Sequence, residues 1–199
     1  MMSRPLLIIA VIFTFASMLP SCGESYSPRP KGYFRIELPE KEYVRFDSAY
    51  PYRFDMPAYS QFRPDTREVA EPYWADLDFP AFRGTLHLSY KTIEERSDLL
   101  NYMEDARNFV HQHIPKATGI REEILGDPER MVYGIYYEIR GREAASPLQF
   151  FLTDSTTHFL RGALYFRVTP NNDSLAPVIR FIEQDIRQMI RSLEWSDRP

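Results

Sequence analysis

Apolar and polar positions alternate strictly in several short stretches of this chain. Phe34, Ile36 and Leu38 interleave with Arg35 and Glu37, which predicts a half-buried strand. Tyr43 to Phe46 and Tyr52 to Met56 repeat the alternation, and Trp74 to Phe79 and Gly84 to Tyr90 predict two more strands. In the last of these Leu86, Leu88 and Tyr90 share one face, opposite Thr85, His87 and Ser89. Prolines at 39, 51, 57, 64, 72 and 80 cut this half into short pieces. Proline has no N–H for a sheet ladder, so these positions mark turns or edges.

The period then changes. Leu99, Met103, Ala106 and Val110 recur at helical spacing and predict a helix over 92–114, with Thr92 and Glu95 as a capping box and Pro115 as its stop. Met131 to Arg140 reads as a strand with Met131, Tyr133, Ile135, Tyr137 and Ile139 on one side. Leu148 to Leu152 and His158 to Val168 predict a hairpin across Thr153–Thr157. A last helix is expected from Pro177 to Trp195, its stripe formed by Ile179, Ile182, Ile186, Met189, Ile190 and Leu193. Strands joined by short loops must be antiparallel. The predicted fold class is therefore α+β, an antiparallel β-sheet flanked by two main α-helices. That outline resembles the Mog1/PsbP-type sandwich.

The N-terminus follows a different pattern. Arg4 precedes an apolar run from Leu6 to Phe15, which ends in Leu19-Pro20-Ser21-Cys22. A positive start and an apolar stretch of about ten residues predict an export signal over 1–21, not a membrane-spanning helix. Ser-Cys at its end resembles a lipobox, although Pro20 stands where a small residue is commonest. Cys22 is the chain's single cysteine, so no internal disulfide can form, and lipidation gives the unpaired thiol a reason. Two or three acyl chains anchor a protein durably, whereas one alone holds reversibly. Residues 22–32, polar and proline-containing, read as the lipidated Cys and an extended tether, and 33–199 as a single α+β domain. Only Glu24 is acidic near the anchor, which favours a periplasm-facing position in the cell envelope. Which membrane holds the lipid stays open.

Composition adds exclusions. The net charge is −4 over 199 residues, without a basic stripe, which argues against nucleic acid. His111 and His113 are two apart on a helix, about 200° around its axis, and so cannot chelate one ion. No metal site, cofactor or small-molecule substrate is expected beyond the covalent lipid on Cys22. No nucleophile elbow or phosphate-cradling loop occurs, which predicts a non-enzyme. A hydrolase built on His87 would need Ser89 or an acid in hydrogen-bond reach of it, inside a cleft. Asp76 and Asp78 share a strand face, about 7 Å apart.

Aromatic residues make up 15% of the chain. Tyr50, Tyr52, Tyr73, Trp74 and Phe79 lie beside prolines or at strand ends, and with Asp76 and Asp78 they form the candidate interaction surface. The competing reading is that they plug the core of a small strand-rich lobe.

Several runs resemble the gliding motility lipoprotein GldD family of Bacteroidetes. They are Tyr26 to Pro39, Tyr50-Pro51-Tyr52, Tyr73-Trp74 through Leu77-Asp78-Phe79-Pro80, Phe82 to Lys91, and Phe150 to Phe166. The resemblance spans essentially the whole mature chain. It implies a membrane-anchored accessory lipoprotein of gliding motility and type IX secretion, acting through contacts with other envelope proteins. Cys22 matches the family's lipidation position, and the family supplies no catalytic residues to carry over. The alternative is an envelope ligand- or glycan-binding lipoprotein module, with the same aromatics lining a pocket beside Asp76 or Asp78.

Overall fold

The structure, a computed structural model, describes residues 36–196. The expected export signal, Cys22, the tether and the start of the strand at Phe34 lie outside the described residues.

The fold is α+β. A three-stranded sheet has the order β1 (Tyr43–Phe46), β2 (Tyr52–Pro57), β10 (Glu194–Trp195). A seven-stranded sheet has the order β3 (Gln61–Pro64), β4 (Ala75–Phe79), β5 (Gly84–Thr92), β9 (His158–Phe166), β8 (Leu148–Thr153), β7 (Val132–Arg140), β6 (Gly119–Asp127). Every pairing is antiparallel. Helix α1 (Arg96–His111) packs on one face of the large sheet, and α2 (Asn172–Ser192) with the small sheet packs on the other.

Alternation decides what each face holds. Leu77, Phe79, Leu86, Leu88, Phe150 and Leu164 point toward α2 and are all at most 1% exposed. They meet Ile182, Ile186 and Met189 of α2 and Tyr52 and Phe54 of β2 in one core. The ring of Phe150 lies across Gly162, its cross-strand partner, where an added Cβ would fall 2.2 Å from the ring. Only a glycine leaves that ring its place. A smaller cluster lies under α1, where Ala106 and Val110 meet Tyr137, Ile139, Phe151 and Phe159.

Several elements differ from the sequence reading. Residues 36–42 form no strand, and Ile36 and Leu38 are exposed; the backbone bond from the segment to β2's end is at Glu42, whose carbonyl accepts from the Ala58 amide at 2.8 Å. The N-cap of α1 is Glu95, boxed with Asp98, rather than Thr92 with Glu95; Thr92 is still the last residue of β5. Helix α2 begins at Asn172, with Pro177 inside it. Proline commonly opens a helix, which is why the earlier start was missed. Trp195 belongs to β10, not to a helix. Strands β3 and β6 were not expected at all; both are edge strands, mostly exposed, and carry no clean alternation.

One ionic cluster fastens the start of the fold. Asp185, on the buried stripe of α2, is 1% exposed. It accepts a hydrogen bond from Tyr43 Oη at 2.9 Å and another from Tyr59 Oη, and Lys41 Nζ lies 2.7 Å from its carboxylate. Lys41 also donates to the Phe181 carbonyl at 2.7 Å and sits 3.3 Å above the Phe181 ring. A buried carboxylate is tolerated when charge and hydrogen bonds both answer it. Burial, followed by the Asp185 hydrogen bond and charge, pushes the Tyr43 phenol up to about 12. Burial pushes the Lys41 ammonium below its ordinary value, against the pull of Asp185.

Candidate functional site

Helix α1 covers only part of its face of the large sheet. Beside it the inward-facing residues of β3, β4, β5 and β9 form a polar surface, laid out by register. Asp76 is opposite His87, and His87 is opposite Ala163; Asp78 is opposite Thr85, and Ser89 is opposite Arg161. Asp76 Oδ1 lies 2.5 Å from His87 Nδ1. Asp78 is buried, accepts from Thr85 Oγ1 at 2.6 Å, and is ion-paired with Arg63 and, at 2.8 Å, with Arg167. A cleft of about 330 Å³ opens here, lined by Arg63, Asp78, Arg83 and Arg167.

A second groove, about 440 Å³, runs between α1 and the sheet. Trp74, Tyr102, Phe109 and Phe159 line it, with Ser89, Lys91, Asp105 and Arg161 as its polar groups. The Trp74 indole is fixed by its N–H donating to the Tyr90 carbonyl at 2.9 Å. Lys91 Nζ is paired with Glu71 at 2.6 Å and lies 5.4 Å from the Tyr102 ring centre. Arg161 is half-buried, donates to Gln149 Oε1 at 2.7 Å, and stands 4.5 Å over the Phe109 ring. Burial lowers the pKa of its guanidinium. Burial and then the Arg161 charge lower that of His113, favouring its neutral form.

The predicted surface residues divide. Trp74 and Asp76 are half-buried on the α1 side of the sheet, and Asp78, on the same side, is buried beneath Arg63 and Arg167. Tyr52 and Phe79 are each 0% exposed and belong to the core between the two sheets, which corrects the expectation of a contact surface there. Tyr50 and Tyr73 are half-buried against that core, 5.7 Å apart edge to face. Tyr73 takes a left-handed backbone, φ 64°, and its carbonyl accepts the Tyr52 hydroxyl at 2.8 Å. Trp74 stands beside Asp105 in its groove, and neither Asp76 nor Asp78 lines it.

Arg63, Lys91, Phe109, Arg161 and Arg167 were not singled out from sequence. Arg161 alone carried a signal: it is a charged residue inside the apolar run Phe159 to Leu164. For the hydrolase reading the acid is present on His87, but among the described residues no hydroxyl hydrogen-bonds that ring. Among the described residues no group of three or more His, Cys, Asp or Glu side chains is placed to hold a metal, and no helix is long and apolar enough to cross a membrane.

Curated proteins give no match to the chain. Among solved structures it is similar to the cyanobacterial PsbP of Synechocystis sp. PCC 6803, at 13% identity and a TM-score of 0.43, over 80% of this chain and 95% of that one. The family described as gliding motility lipoprotein GldD matches residues 23–195. A match over nearly all of the sequence decides membership, and the chain belongs to the gliding motility lipoprotein GldD family.

Proposed function

We propose that this chain is an accessory lipoprotein of the gliding motility and type IX secretion apparatus, held in the cell envelope by lipid on Cys22, facing the periplasm, and acting through protein contacts rather than catalysis. The observation that carries the reading is the family match, which starts at residue 23, directly after the lone cysteine. The open polar face supports it, because a sheet face that α1 leaves partly uncovered is available to a partner. Residues 1–21 then act as the export signal and 22–32 as the tether.

Labelled palmitate should mark the wild-type protein and not Cys22→Ser, and the variant should fail to restore spreading and surface-protein export in a deletion strain. An unlabelled wild type, or a deletion strain that spreads and exports normally, defeats the reading. The second reading, a glycan-binding module, is favoured by the aromatic lining around Trp74. A sugar would also need several hydroxyl partners, and Ser89 and Asp105 are the groove's main neutral and acidic ones.

A further inference from the structure

Charges drawn into this protein come with opposite charges. Asp185 has Lys41, and Asp78 has Arg63 and Arg167. Arg187, also partly buried, is held by Glu123 and Glu183, each at 3.0 Å. Arg161 departs from this pattern. It lies on the central strand β9 with α1 above it, its guanidinium is hydrogen-bonded to two neutral groups, the Gln149 side-chain carbonyl and the Tyr165 hydroxyl, and among the described residues no carboxylate forms an ion pair with it. Next to it the buried Gln149 Nε2 has no hydrogen-bond partner. Asp105, the carboxylate lining the same groove, is exposed on α1. A guanidinium taken from water without a counter-charge is destabilising, and its fork of donors matches a carboxylate.

We propose that the groove between α1, strands β5 and β9 and Trp74 just ahead of β4 is a peptide-binding site, which takes a partner's carboxylate on Arg161 and the adjoining large apolar side chain between Trp74, Phe109 and Phe159. The class of ligand follows from the lining. Its volume, about 440 Å³, is in the range of small-ligand sites. Four aromatic rings face it against few hydroxyl partners, which suits an apolar side chain better than a sugar ring. Phe109 is 45% exposed at its rim, an apolar ring left in water until something covers it. Lys91, beside Trp74, adds positive charge at the entrance, partly offset by Glu71. This inference deepens the contact reading and names the chemistry of the contact, but does not depend on the lipid.

The test uses the purified full-length chain and the probe N-acetylphenylalanine carboxylate, which carries both recognised groups. The chain has two tryptophans, so proton–nitrogen spectra show two indole N–H signals, and Trp195 on β10 is the internal control. The Trp74 signal should move saturably with the probe while that of Trp195 stays. The primary amide of the probe should bind about tenfold more weakly, and so should Arg161→Gln with the carboxylate. Arg161→Lys, which keeps the charge, should recover part of the affinity, and an unmoved Trp195 signal in Arg161→Gln shows that its loss is not unfolding. Equal binding of acid and amide, or no saturable shift, overturns the site. Binding of glucuronate but not the probe overturns the ligand class in favour of a sugar. Failure here leaves the palmitate result untouched, and failed labelling leaves the groove untouched.

Discussion

The α2 face of the large sheet buries one carboxylate, Asp185, and the α1 face half-buries one guanidinium, Arg161. Asp185 is answered by an ammonium and two phenols that close around it. Arg161 is answered by neutral groups alone, a side-chain carbonyl, the Tyr165 hydroxyl and an aromatic ring. The first arrangement fixes elements to one another. The second leaves binding capacity unused at the wall of a groove. Two faces of one sheet thus divide the work: one holds the fold, and the other offers a surface.

The largest effect should come from breaking the closed side. Asp185→Ala strands Lys41 against two phenols and should lower unfolding free energy by about 3–5 kcal/mol, read from denaturant melts. Replacing both charges, with Lys41→Met and Asp185→Leu, should recover much of that loss. If Asp185→Ala is neutral, the cluster is not a fastening. Next in size is a matched pair of truncations. Ile186→Ala, from a site 1% exposed, should cost about 3 kcal/mol, while Phe109→Ala should stay under about 1 kcal/mol. Equal losses would erase the contrast between the faces.

Smaller effects concern pH, and the two sides should respond at opposite ends. Burial, with the Asp185 hydrogen bond behind it, pushes the Tyr43 phenol from its ordinary 10.0 up to about 12 in the folded protein. Between those values the folded chain keeps a proton that the unfolded chain releases, so stability falls as pH rises through that window. Lys41, lowered from 10.5, acts the other way and blunts the fall. Tyr43→Phe should flatten the alkaline loss in melts across this range. The smallest effect is on the α1 side. His113 has a lowered pKa, so its contribution is present above the ordinary value of 6.5 and is lost as pH falls below it. His113→Gln should remove that acid-side component, and an unchanged acid profile would show that neither burial nor Arg161 holds the His113 proton off.

How much of this could be read from the chain follows from what each feature depends on. Strands β2, β4, β5, β8 and β9 have one or two buried faces, and the alternation or apolar runs that mark them are required by burial. β3 and β6 are edges whose exposed positions tolerate any residue, so their sequences carry no pattern. The aromatic residues were noticed by type, but type does not separate Trp74 in a groove from Tyr52 in a core; register does. Tyr52 lies on β2, and its face is set by pairing with Trp195, about 140 residues away. Asp185 looked like one more acid on a helix. Its role depends on Lys41 and Tyr43 arriving from the far end of the chain.

The clamp on Asp185 also has a mechanical meaning. A pull applied at residue 36 runs along the chain to Lys41 and Tyr43. Among the described residues strand β1 is paired with β2 alone, over four residues from Tyr43 opposite Pro57 to Phe46 opposite Phe54. Tension from that end would peel such a ladder one rung at a time. Lys41 grips α2 ahead of the first rung and Tyr43 grips it at that rung, so part of the load passes into a helix of 21 residues and not into a short hairpin alone.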